Sequence, residues 1–169
     1  MASDTKETSN RKESIGTVMA YTTDIHLLHD LDDPTIARTV ASAFSLPIDT
    51  VRVARYGTPE VNDAWARPET RAVVAREDRR RFGDTGLWPI HLEITVEGDD
   101  PEHELDTLRA IGSGLGVPFV GAIADDDQEI FRLVFPDGHS PGRYLDGELA
   151  LTDDDRRRLA PYEQPARAA

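Results

Sequence analysis

Between Ile90 and Glu97 every second residue is apolar: Ile90, Leu92, Ile94 and Val96 alternate with His91, Glu93, Thr95 and Glu97. A period of two marks a strand with one face turned to a core. No other stretch constrains the fold as much, because the residues after it complete a unit. Gly98-Asp99-Asp100-Pro101 turns the chain and opens a predicted helix over 101–115. Its Leu105, Leu108, Ile111 and Leu115 lie on one stripe. Gly116-Val117-Pro118 ends it. Phe119 to Ile123 and Glu129 to Phe135 then read as strands joined by a hairpin at Asp125-Asp126-Asp127. The whole is a βαββ unit.

A fainter copy precedes it. Ile25-His26-Leu27-Leu28-His29-Asp30-Leu31 reads as a strand with Ile25, Leu27 and Leu31 on one face. As a helix it would pair His26 with His29 instead. Asp32-Asp33-Pro34 favours the strand, since an acid before a proline is a helix start. Ile36, Val40 and Phe44 stripe that helix, and Asp49 to Tyr56 forms the next strand. Two βαβ copies, about 24–56 and 89–135, predict an α+β fold. The expected form is a ferredoxin-like sandwich. It has a mixed or antiparallel sheet, helices on one face and an extra C-terminal strand near 142–149. Any two βαβ units share such punctuation, so the pattern does not require a duplication.

The remaining segments are weaker. Ile15 to Thr22 reads as a short strand, with its boundary to the next element left open. Pro68-Glu69-Thr70 opens a predicted helix reaching Phe82, with Arg71, Arg76, Arg79, Arg80 and Arg81 along it. Those arginines form either an anion site or a solvated face neutralised by Glu69, Glu77 and Asp78. Thr152 starts a predicted terminal helix with acids early and arginines late. Residues 1–14 and 161–169 read as flexible tails around a single domain over 15–160.

Charge narrows the function. The 169 residues carry a formal net charge of −13, which argues against nucleic acid and for a basic protein partner. The same surplus would also suit a saline medium. There is no cysteine, so neither a disulfide nor a thiolate metal site is possible. No apolar run approaches the roughly 20 residues that span a bilayer, and the first residues lack the apolar segment of a signal peptide. The expected location is the cytoplasm, with no membrane partner.

The expected function is a non-enzymatic interaction module, of an inhibitor, immunity or regulatory kind, that binds a basic protein. Asp99, Asp100, Asp125, Asp126 and Asp127 are its candidate contacts, because they stand at the ends of the most regular elements. Neither cofactor nor metal is called for.

The alternative is a small-ligand or metal site, or an enzyme, on the polar sheet face. There His26, Asp30, Arg52, Tyr56, His91 and Glu93 would gather, and histidine with carboxylate suits acid–base or divalent-metal chemistry. An open antiparallel face is also polar simply because water wets it, and no His-Glu-x-x-His motif stands behind the set. Gly112-Ser113-Gly114-Leu115-Gly116 is not a nucleotide loop, because its glycines close a helix rather than open one. Asp125, Asp127 and Glu129 alternate as calcium ligands do, without the glycine and distal glutamate that complete such a loop.

Overall fold

The computed structural model describes residues 12–15, 18–78, 88–125, 128–140, 143–145, 148–149 and 151–163. In chain order the elements are β1 (Lys12–Ile15), β2 (Val18–Leu27), α1 (Asp33–Ala43), β3 (Val51–Arg55), α2 (Pro59–Trp65), β4 (Ala72–Asp78) and β5 (Ile90–Glu97). There follow α3 (Glu104–Leu115), β6 (Phe119–Asp125), β7 (Gln128–Val134), β8 (Arg143–Leu145), β9 (Glu148–Leu149) and α4 (Asp153–Glu163). The α+β class is as expected.

One mixed sheet runs in the order β3-β4-β5-β2-β6-β7-β8-β9, with β1 on the first half of β2. Every pairing is antiparallel except β3 with β4. β2 and β5 are neighbours and run antiparallel, as two successive βαβ units in one sheet require. The connectivity departs from β-α-β-β-α-β in one respect. α2 and β4 are inserted after β3, so two strands separate β2 from β3 while one separates β5 from β6.

The predicted helix at Thr70 to Phe82 is instead strand β4 as far as Asp78, and Arg79, Arg80 and Arg81 lie outside the described residues. The cause is tertiary. Val73 and Val74 are β-branched and Ala72 to Ala75 are buried, which suits a strand held between two others better than a surface helix. The two short strands expected around Val18 and Ile25 are one ten-residue strand, β2. β1 begins inside the stretch expected to be tail, and α4 continues through Pro161 to Glu163. The helix expected from Pro101 starts at Glu104, with His103 as its cap.

α1 and α3 lie on one face of the sheet. Ile36, Val40, Leu108, Ile111 and Leu115 meet Ile25, Leu27, Val74, Leu92 and Ile94 there, and all are buried. Asp32 caps α1 by accepting a 2.8 Å bond from the Thr35 N–H, as its place before Pro34 predicts. A methyl group at Gly114 would stand 2.8 Å from Thr39 Cγ2, so the glycine lets α3 lie close on α1. Gly116 closes α3 at φ 69°, in the left-handed region glycine enters without strain.

Helices cover the other face as well, against the one-sided expectation. α4 sets Leu159 and Tyr162 on Leu28, Trp88, Val120, Leu133 and Phe135. α2 sets Ala64, with Val61 and Trp65, on Ala54 and Val73. α2 also folds back on its own strand. Glu60 accepts from the Arg55 N–H at 3.0 Å, and Thr58 Oγ1 donates to the Arg55 carbonyl at 2.8 Å.

α4 is fastened by polar contacts. Thr152 and Asp155 bond reciprocally at its start. His139 reaches Asp155 at 3.2 Å, His29 Nε2 meets the Tyr162 carbonyl at 2.6 Å, and Arg158 bonds Asp137. Burial works against the Asp155 carboxylate, but hydrogen bonds from Thr152 and His139 outweigh it and hold the group below the usual range. The His139 N–H, with Arg158, does the same for Asp137.

Two outcomes follow. Ile94 is fully buried, so Ile94→Ala should cost roughly 2–5 kcal/mol in denaturant unfolding; a cost below about 1 kcal/mol would remove it from the core. Asp137 and Asp155 have lowered carboxyl values, so their stabilisation is complete above the unfolded value near pH 3.9 and fades as pH falls through the folded values. Trp88 fluorescence should therefore report loosening of the α4 patch below about pH 4, and Asp155→Asn should diminish that step.

Candidate functional site

The two helices on the second face leave a strip of sheet between their apolar patches. Strand alternation decides what stands there. β2 presents Thr22, Asp24 and His26, β5 presents His91, Glu93 and Thr95, and β4 presents Ala75 and Glu77. Register does the rest. His26 stands opposite His91, Asp24 opposite Glu93, and Glu77 opposite His91 on its other side.

His91 is the centre of this arrangement. Its Nε2 lies 2.7 Å from Asp24 Oδ1 and its Nδ1 lies 3.0 Å from Glu77 Oε2. With both carboxylates ionised they only accept, so both ring nitrogens donate and the arrangement is that of an imidazolium. The ring is 4% exposed. A buried cation is tolerable only when paired and bonded, and here two carboxylates from two different strands do both. Like charges directly opposite in a sheet repel, so the facing pair of Asp24 and Glu93 also gains from a neighbouring cation.

Aromatic rings frame the clamp. His26 stacks on His91 with centroids 5.0 Å apart and rings 19° from parallel. Phe131 stands edge-on to His26 at 5.8 Å, and Tyr56 edge-on to His91 at 5.6 Å. Beyond the imidazoles, the Thr22 and Thr95 hydroxyls meet at 3.2 Å. The two histidines are thus not on an open, wetted face; both are buried.

Tyr56 lines two cavities. One, of about 530 Å³, is lined by Asp30, Asp33, Tyr56, Glu60, Arg76 and Glu77, among others. The second, of about 490 Å³, is bounded by Tyr56, Pro59, Asn62, Ala75 and Glu93. Tyr56 itself is 40% exposed, so its ring is reachable from water. Arg76 in the first cavity bridges Asp30 and Asp33, the latter at 2.6 Å.

Most of the expected sheet-face set therefore gathers. His26, His91, Glu93 and Tyr56 form one neighbourhood. Asp30 lies past the end of β2, exposed and bound to Arg76, and lines the first cavity. Arg52 shares the face but is bonded to Glu69 at 3.1 Å, near the other end of β3. Arg71 bonds Glu97 at 3.1 Å, so both described members of the basic island are neutralised by acids.

The acidic candidates lie away from this neighbourhood or outside the described residues. Asp99 and Asp100 are exposed in the turn between β5 and α3, and Asp125 ends β6 opposite Gln128. Asp126 and Asp127 lie outside the described residues. Asp24 and Glu77 were missed. Asp24 had a visible signal, since it precedes His26 by two residues and shares its face once β2 is one strand. Glu77 was hidden by the helical reading of β4.

The side chains gathered here form a charge cluster. Both nitrogens of His91 are occupied, and among the described residues no group of three acidic or imidazole side chains is arranged to hold a metal ion. Among the same residues, no helix is long and apolar enough to cross a membrane. Comparison with protein-family models, characterised proteins and solved structures finds no match for this chain.

If the clamp holds three strands together, removing one arm strands a buried charge. Asp24→Ala should cost about 3 kcal/mol in urea unfolding. A loss under about 1 kcal/mol would mean that His91 does not depend on Asp24.

Proposed function

We propose that this protein is a binding module for a basic partner, and that a cationic side chain of that partner enters the cleft at Tyr56. The observation that carries this reading is the pair of cavities that share Tyr56 as a lining residue. Acids outnumber bases on their described walls: Asp30, Asp33, Glu60, Glu77 and Glu93 stand against Arg55 and Arg76. A partly exposed aromatic ring beside carboxylates suits a guanidinium or ammonium group, which the ring quadrupole attracts.

The net charge of −13 supports the same reading at long range. Asp99, Asp100, Asp125, Asp126 and Asp127 contribute to a field that draws a basic surface inward before contact. Such steering weakens as salt shortens the screening length to about 8 Å at physiological ionic strength. The field sets the rate of encounter, and the cleft sets what is held.

A catalytic reading of the imidazole pair has less behind it. A general base needs a nitrogen within reach of substrate, whereas His91 is buried with both nitrogens bonded.

A hexa-arginine peptide tests the proposal. Tyr56→Ala should weaken its binding roughly 3- to 30-fold, the range of one cation–π contact, with little change in melting temperature. Unchanged affinity in Tyr56→Ala would move the binding surface away from the cleft, to the exposed acids at Asp99 and Asp100.

A further inference from the structure

Glu77 serves two roles at once. It accepts from His91 Nδ1 at 3.0 Å, and its side chain, 31% exposed, lines the cavity beside Tyr56. A cation seated in that cavity would compete with the imidazolium for one carboxylate. We infer that the cleft exchanges a proton for a cation. A guanidinium or ammonium group that engages Glu77 displaces His91 as its partner, and the proton on Nδ1 leaves to solvent. This rests on the cationic-partner reading above and adds its regulation.

The exchange balances. The N–H bond at Nδ1 breaks, its electron pair stays on the ring, and the proton goes to water or buffer. His91 becomes a neutral imidazole that still donates from Nε2 to Asp24, its 2.7 Å partner. One positive charge enters and one leaves, so the cluster keeps its net charge.

The driving force is local electrostatics. The titratable and charged groups around the ring, among the described residues, are Asp24 and His26 from β2, Glu77 from β4, Glu93 from β5 and Tyr56 just past β3. The ring carries charge because Asp24 and Glu77 both compensate it. Once a ligand takes Glu77, two cations share the remaining carboxylates in a buried setting. The like charge disfavours the protonated ring. Asp24 and Glu77 reach the ring from opposite sides, across β2 and β4, so one bond can open while the other holds.

The consequence is a pH-dependent affinity. Where the free protein holds His91 protonated, binding should tighten by up to about tenfold per pH unit. A hexa-arginine peptide is the right probe, because arginine does not titrate near neutrality and any proton released comes from the protein.

Calorimetry on the full chain between about pH 5.5 and 8, in buffers of different ionisation enthalpy, should show close to one proton released per peptide. The ring nitrogen signals of His91, assigned apart from those of His26, His29, His103 and His139, should move from the imidazolium to the neutral pattern on saturation. His91→Gln should bind with a flat pH dependence. If that variant fails to fold, the wild-type ring signals decide the matter. Binding without proton release, with the ring still an imidazolium, overturns the exchange and leaves the cationic reading standing. No binding at any pH overturns that reading and the exchange with it.

Discussion

β5 sits between β4 and β2 near the middle of a sheet covered by helices on both sides. That burial is the constraint from which the rest follows. A strictly alternating strand in such a place cannot leave its polar residues to water. Ile90, Leu92, Ile94 and Val96 join the core under α1 and α3, and His91 and Thr95 must find partners on the other face. Thr95 finds Thr22, and His91 finds Asp24 and Glu77. The clamp is thus a product of fold economy as much as of any activity. Unsatisfied polar groups at that depth would be costly, and a charge without partners more so.

The cleft exists because the second layer is incomplete. α2 has seven residues and α4 eleven, and they cover opposite margins of the strip. Between them the sheet meets the cavities through Tyr56, Glu77 and Glu93. Rigid strands hold these carboxylates, so a ligand there would meet fixed charges rather than ones it must first order. Fixed groups lower the entropic cost of binding.

Much of this was readable from the residues, for local reasons. Alternation at Ile90–Val96, the cap at Asp32 and the glycine stop at Gly116 are short-range signals, and each gave the right element. The placement of Leu108 and Ile111 under the sheet followed from helical spacing. β4 was not readable. Its arginines and acids look like a solvated helix, and only its insertion between β3 and β5 makes it a strand. With β4 misread, Glu77 was lost, and with β2 split in two, Asp24 was lost. The histidines were legible as a pair because they carry the same offset from apolar neighbours. Their burial was not, because it depends on Tyr56, Phe131, Asp24 and Glu77, which other strands and a turn bring up from distant parts of the sequence.

The fold-back of α2 onto β3 has a bearing on behaviour in concentrated solution. β3 is the outermost strand on its side, and such a margin offers backbone groups to any passing chain. Here the Arg55 N–H is taken by Glu60 and its carbonyl by Thr58, so the strand's end is already occupied by the chain itself. An approaching strand would have to displace a carboxylate and a hydroxyl before adding its own bonds. The same short helix that walls the cleft therefore also discourages edge-to-edge polymerisation, letting a sheet this wide stay open at its rim.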